Sequence, residues 1–472
     1  MAVETPAGAV TSGARATSSG GSRSGSGSDP FSAALARLEA AGRFGIVPGL
    51  ERTRWLLDRM ENPHLGLHGV LVAGTNGKGS VAALTEAMAR AAGRRTTLLA
   101  KPHLVRWGER IVLDGAPMDD AGFAGLAAEV LDAADQAPPG EHPTQFEVLT
   151  VMGFLAAARR GAETVVCEVG MGGRLDSTNV VDLGGCVVTN VALDHREWLG
   201  DTVEAIAAEK AGIIKRGDWV VSAATEPARS IIVERARTVG ASLRVIEAGR
   251  DWRGTSRGRA GVEVELDLVG RGAPESTTAP DAGDQVGPAG DRAGPAGQRL
   301  LCRSPLPGRV QEENLALAAA AAALLGIGER AIVAGAASVR WPGRLQWVEG
   351  APPLLLDGAH NPAALRALML EVPRLAGNRR VVALFGAMAD KQLGEMLPLL
   401  RAMSGEVVLT SVGGGRAASA ADLAAMLGGG IAVEPVEAGL AEARRRAGPS
   451  GLVLVCGSLA LVGAVLARMA PG

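Results

Sequence analysis

The chain has 472 residues, enough for two or three domains that each bury a core of their own. Its 48 Lys and Arg nearly balance 50 Asp and Glu, which excludes bulk attraction to nucleic acid and leaves any phosphate binding to a local site. Hydrophobic residues make up 47%, yet tyrosine is absent and the large aromatics are 7 Trp and 6 Phe, so the core is aliphatic.

Residues 1–30 are dominated by Ser, Gly, Ala and Thr, a composition that buries too little apolar surface to offset chain entropy and predicts a disordered tail. Arg15 and Arg23 among few acids suit a transit peptide, but no amphipathic stripe accompanies them. From residue 68 to about 250, short β-branched runs alternate with Ala-rich segments of helical period, the pattern of a parallel sheet covered by helices. Strands are predicted over 70–73, 165–169 and 186–191, and a helix closed by Gly212 follows Asp201 and Thr202. Residues 270–298 are rich in Gly, Pro and Asp without periodicity and predict a mobile insertion. A helix is predicted over 314–325, and near Trp341 the strand–helix pattern restarts, with strands over 354–356, 381–385, 407–410 and 452–455.

The expected fold is therefore α/β. A P-loop ATPase domain with a mostly parallel sheet occupies residues 31–339, and a smaller Rossmann-like α/β domain occupies 340–472. The apolar stretches 315–327 and 452–467 are too short for a bilayer, which takes ~20 residues, so no membrane segment is expected. Cys167, Cys186, Cys302 and Cys456 lack CxxC or Cys/His spacing and read as small buried hydrophobes. A reduced, cytoplasmic setting and a monomer are the expectation.

Gly74, Thr75, Asn76, Gly77, Lys78, Gly79 and Ser80 lie between the strand ending at Ala73 and a helix beginning near Ser80. Glycines let backbone N–H groups turn toward an anion, the helix N-terminus adds its dipole, Lys78 neutralises charge and Ser80 is placed to reach Mg²⁺. The usual spacing would put a glycine at Val72, so this is a shortened phosphate loop. By position alone, Glu147 is a carboxylate at a helix start, His195 follows a strand at its C-terminal end, and Lys210 is a cation near a helix C-terminus.

The segments GTNGKGS (74–80), PHLVRWGERI (102–111), FEVLT (146–150), EVGMGGRLDSTN (168–179), ALDHREWLGDT (192–202), EKAGIIK (209–215), WPGRL (341–345), DGAHNP (357–362) and GSLALVG (457–463) follow one another in the order of folate-adding amide ligases. From about Phe44 onward the chain resembles folylpolyglutamate synthase/dihydrofolate synthase of the Mur ligase superfamily. The resemblance implies a ligase that uses ATP and Mg²⁺ at two sites to join L-glutamate to dihydropteroate or a folate through an acyl phosphate.

It implies Ser80, Glu147, His195 and Lys210 as the metal-holding residues, with Lys210 carbamylated. It further implies Asn314 at the adenine, Arg344 on the γ-phosphate, and Asp357 and His360 at the nucleotide or the incoming glutamate. The loop at Gly172 and Gly173 would border the site, and Asp390 and Lys391 stand as possible contacts of the amino acid. Two positions depart from the family pattern: Lys101 stands where serine is usual, and Val310 where histidine is usual. An ammonium at 101 would repel a metal or replace it as counter-charge to phosphate. The departures leave two other readings, a Mur-type ligase acting on a different acid and amine, and a nucleotide-binding homologue with weakened catalysis.

Overall fold

A computed structural model describes residues 29–42, 45, 47–268 and 299–469. Most of the expected tail and all of the expected insertion, residues 270–298, lie outside these residues. Asp29 accepts from the Ser32 amide and caps a helix that starts at Pro30, just inside the expected tail.

The larger sheet contains β1 (Gly69–Ala73), β2 (Thr96–Leu99), β3 (Ile111–Leu113), β4 (Ala116–Pro117), β5 (Thr164–Glu168), β6 (Gly185–Val188), β7 (Trp219–Ser222) and β8 (Ser242–Val245). Their spatial order is β4-β3-β2-β5-β1-β6-β7-β8. The run from β2 to β8 is parallel, while β3 and β4 form an antiparallel edge. β1 is central, and the chain leaves it toward β2 on one side and returns to β6 on the other. That reversal opens a crevice at the strands' C-terminal ends, where open α/β sheets bind ligands.

Both faces of the sheet are buried, which is why β1, β5 and β6 read as continuous apolar runs. Phe123, Phe154, Leu131 and Met152 fill one face. On the other, the helix Lys78–Ala91 packs with the alanine-rich helix Val310–Leu324 and the helix Glu329–Ser338. All four cysteines are buried and free.

A three-stranded antiparallel sheet follows: β9 (Trp252–Ser256), β10 (Val262–Leu266) and β11 (Leu300–Ser304), ordered β11-β10-β9. The sequence gives no parallel-sheet pattern here, but Val262, Val264 and Leu266 alternate with Glu263 and Glu265, and the buried positions are the apolar ones. The last sheet contains β12 (Gln346–Val348), β13 (Leu354–Leu356), β14 (Val381–Phe385), β15 (Glu406–Leu409), β16 (Ile431–Ala432) and β17 (Leu452–Cys456). Their order is β12-β13-β17-β14-β15-β16, and all but β12 run parallel. No helix of the described residues is long and apolar enough to cross a membrane.

β6 ends at Val188, three residues before the expected end, because Thr189 and Asn190 turn to hold the phosphate loop. The Thr75 amide donates to the Asn190 carbonyl at 2.8 Å, the Asn76 amide donates to Asn190 Oδ1 at 3.0 Å, and Thr189 Oγ1 donates to the Asn76 carbonyl at 2.7 Å. Gly77 completes the turn at φ +84°, and a Cβ there would lie 2.3 Å from Asn314 Oδ1. A side chain at 77 meets both left-handed strain and a clash. Gly77→Ala should lower unfolding free energy by about 1–3 kcal/mol in urea titrations and abolish nucleotide binding; wild-type values in both would refute this account of the turn.

Candidate active site

A cleft of about 1020 Å³ runs between the C-terminal ends of β1, β5 and β6 and the loops of the last sheet. Gly74 to Ser80, Lys101, His103, Glu168, Asp194, His195, Lys210, Asn314, Arg344, Asp357, His360 and Lys391 all line it. Residues far apart in the chain thus share one wall-to-wall space. Val310, which is 48% exposed, lines the rim.

Lys78 Nζ donates to the Gly74 and Thr75 carbonyls, each at 3.0 Å, and Lys210 Nζ donates to the same Gly74 carbonyl at 2.9 Å. Two ammonium groups on one carbonyl repel each other. Burial first, and Lys78 second, push the Lys210 amine down to about 7. Burial likewise lowers Lys78, although Glu168 and Asp194 work against that shift. The Lys210 helix, Val203–Ala211, starts at Thr202, which accepts from the Ala205 amide, and ends at Gly212.

Ser80 is 1% exposed and accepts from Gln311 Nε2 at 3.3 Å. Asn314 Nδ2 donates to Gln311 Oε1 at 2.9 Å, and Asn314 Oδ1 faces Gly77. Asn314, the asparagine expected at the adenine, lines the cleft and faces the phosphate loop from the helix Val310–Leu324.

Glu147, the carboxylate expected beside Ser80, is engaged elsewhere. It occupies the first turn of the helix Gln145–Arg160 in a capping box with Thr144. Its Oε2 accepts from the Thr144 amide at 2.7 Å and from Arg52 Nε at 3.1 Å, and Arg52 Nη2 stands 2.9 Å from Oε1. A helix-start carboxylate satisfied by its own cap and a guanidinium is held in place structurally. Glu168, at the end of β5, does line the cleft, and it accepts from the Lys101 amide at 3.0 Å. Burial raises its pKa, and Lys78, the Lys101 amide and Arg344 oppose the rise. A charged residue closing the fully buried strand Thr164–Glu168 was the sequence signal for it.

The last domain closes the far wall. Asp357 accepts from the Leu345 amide at 2.9 Å and the Ala359 amide at 2.8 Å. It thereby fixes the segment that carries Arg344, whose charge in turn opposes the upward shift that burial imposes on Asp357. His360 Nδ1 lies 2.8 Å from the Gly358 carbonyl, and burial and Lys391 push the ring down to about 4, so it is neutral.

Asn361 Nδ2 donates to Asn76 Oδ1 at 3.1 Å and Asp194 Oδ2 at 3.0 Å. Lys391 Nζ is 3.2 Å from Asp194 Oδ1 and 3.5 Å from His195 Nε2. Burial works against the charge on Asp194, but the Lys391 ammonium and the Asn361 bond prevail and hold the carboxyl at about 2. Burial and Lys391 lower His195, keeping a neutral imidazole at φ +51°.

Among the described residues no three His, Cys, Asp or Glu side chains converge as a metal cage. The cleft offers the Ser80 hydroxyl and Glu168 carboxylate, and Asp194 and neutral His195 line it as well. That donor set fits Mg²⁺, which retains water and takes phosphate oxygens beside one or two protein groups.

A family model described as the Mur ligase middle domain matches residues 72–323, and one described as the Mur ligase, glutamate ligase domain matches 343–459. The chain is 35% identical over 430 residues to a probable bifunctional folylpolyglutamate synthase/dihydropteroate synthase of Halobacterium salinarum, covering 88% of this chain and 49% of that protein. It thus spans about half the length of that relative. It is 32% identical over 392 residues to the dihydrofolate synthase/folylpolyglutamate synthase of Bacillus subtilis, covering 81% and 85%. The solved structure of Escherichia coli FolC in complex with DHPP and ADP superposes with a TM-score of 0.78 at 30% identity, covering 94% of this chain and 98% of that one.

A lysine whose pKa falls on folding opposes stability while charged. The unfolded amine holds its proton to its ordinary 10.5, whereas the folded one releases it near 7, so stability rises between those two pH values. Wild-type stability relative to Lys210→Met should climb from about pH 7 toward pH 10 in urea titrations. A flat difference would mean that Lys210 titrates as an ordinary lysine.

Proposed function

The chain belongs to the folylpolyglutamate synthase/dihydrofolate synthase family of Mur ligases, and from that membership we propose that it joins L-glutamate to dihydropteroate or a folate at the expense of ATP. The observation that supports this most directly is a single cleft in which the phosphate loop faces Arg344, His360 and Lys391 of the glutamate ligase domain.

A carboxylate is a poor electrophile, so ligation begins with transfer of the γ-phosphoryl group of ATP onto the acid. The chain's part is to position the reactants and neutralise charge. Backbone amides of Gly74 to Ser80 and the Lys78 ammonium hold the phosphates. Arg344, fixed through Asp357, neutralises charge as it moves from ATP to the acyl phosphate. Ser80, Glu168 and His195, which line the cleft, would hold Mg²⁺, and the ion would supply further charge neutralisation when bound. The amino group of glutamate then displaces phosphate. His360 is neutral and is placed in the cleft wall to orient or accept from that ammonium. The contacts of Asn361 and Lys391 with Asp194 close the cleft and exclude water from the acyl phosphate.

We further read Lys210 as the site of a carbamate. An amine with a pKa of about 7 is about half neutral near pH 7, the neutral form adds CO₂ with loss of a proton, and the product is an anionic oxygen donor beside the phosphate loop.

Purified protein given ATP, Mg²⁺, L-glutamate and either dihydropteroate or tetrahydrofolate should release phosphate and yield the acid extended by one glutamate. Product with neither acid, alongside turnover of another acid–amine pair, would favour a Mur-type ligase of different specificity. Arg344→Met should lower kcat about 10²–10³-fold with little change in ATP affinity, as expected for a group that acts mainly in the transition state. Equal loss in both would make it a binding residue. Intact-protein mass spectrometry in bicarbonate, after trapping, should show one CO₂ on wild type and none on Lys210→Met.

A further inference from the structure

Lys101 follows β2 at the C-terminal edge of the sheet and is pinned there by its amide bond to Glu168 Oε2 at 3.0 Å. Its side chain extends to the face of Phe146, with Nζ 4.0 Å from the ring centroid. The nitrogen is buried and has no hydrogen-bond partner among the described residues, although the residue lines the cleft. An ammonium has three donors, and an aromatic face gives electrostatic attraction without replacing the water those donors have lost.

The neighbouring acceptors are already engaged. Asp176 accepts from the Met171 amide at 2.9 Å and from the Thr178 amide and hydroxyl at 3.0 and 2.6 Å. Glu168 takes the Lys101 amide and acts on Lys78 and Arg344. Arg110, the other cation acting on Lys101, is bonded to His103 Nδ1 at 2.8 Å and lies over Trp107. The phosphate loop has its own cation in Lys78, whereas Lys101 sits on the β5 side of the cleft against Phe146. Lys101 therefore brings to that side of the cleft a buried amine, lowered by burial against the pull of Asp176, whose donors no described residue uses.

We propose that Lys101 is a specificity-determining residue that donates to an oxygen of the acid substrate, in place of serving as counter-charge to a metal or to the nucleotide phosphates. This rests on the ligase reading above, and it names the residue that selects the acid. An acid presenting an oxygen at the ammonium satisfies it. One lacking that oxygen leaves it buried and unpaired, and a polar site of that kind rejects such analogues strongly.

Lys101→Met keeps an unbranched apolar stem of similar shape and removes the terminal nitrogen with its donors. Binding of dihydropteroate and tetrahydrofolate is measured by calorimetry on the full chain with a non-hydrolysable ATP analogue and Mg²⁺ present. Binding of the analogue alone and thermal unfolding of the ligand-free protein are measured beside it. The variant should bind whichever acid the wild type binds at least about tenfold more weakly, or about 1.4 kcal/mol. It should hold the nucleotide within about twofold, and it should melt no lower than wild type, because an unpaired buried cation has been removed. Unchanged acid affinity overturns the proposal, as does a loss confined to nucleotide affinity, which would make Lys101 a phosphate counter-charge. Wild-type protein that binds neither acid overturns the ligase reading together with it, whereas wild-type binding that the variant shares overturns this proposal alone.

Discussion

The carbonyl of Gly74 accepts from both Lys78 and Lys210, and the rest of the cleft is arranged around the two positive charges it gathers. Among the described residues neither lysine makes an ion pair within hydrogen-bonding distance, and carboxylates at longer range support their charges, Glu168 and Asp194 at Lys78 and Asp194 and Asp176 at Lys210. Such a pair of buried cations is unfavourable in an empty protein and well suited to one that takes polyphosphate. The same crowding lowers the Lys210 amine, so one arrangement both prepares an anion site and makes a lysine nucleophilic.

Asp194 links that charge to the second domain. It is bonded to Asn361 and paired with Lys391, residues separated from it by much of the chain. The carboxylate stays ionised because these partners outweigh its burial. Asn361 also reaches Asn76, so the glutamate ligase domain reads the conformation of the phosphate loop itself. Phosphate loop and far wall are thereby joined through a few polar contacts.

Much of this was legible in the chain. Continuous apolar runs announced β1, β5, β14 and β17, and the glycines around Lys78 announced the phosphate loop. The shortfall lay where tertiary partners decide a residue's role. Glu147 carries the same chemistry as Glu168, but Thr144 and Arg52 hold it in a helix cap, and no local pattern records a guanidinium brought in from another helix. The antiparallel β9–β11 unit was missed although Val262, Val264 and Leu266 alternate, since its three short strands depart from the βαβ rhythm on either side.

The sequence by itself determined the fold class, the order of elements and the phosphate loop, because hydrophobic period and glycine placement are local properties of the backbone. Only the tertiary structure decided which charges face one another: that Glu168 and not Glu147 enters the cleft, that Asn314 faces Gly77, and that the Lys101 ammonium lies on Phe146 away from the loop. Charge was balanced from the outset, 48 basic against 50 acidic residues. What matters is its distribution, and distribution in space is fixed by packing, since Coulomb energy depends on distance and burial and on neither sequence separation nor count.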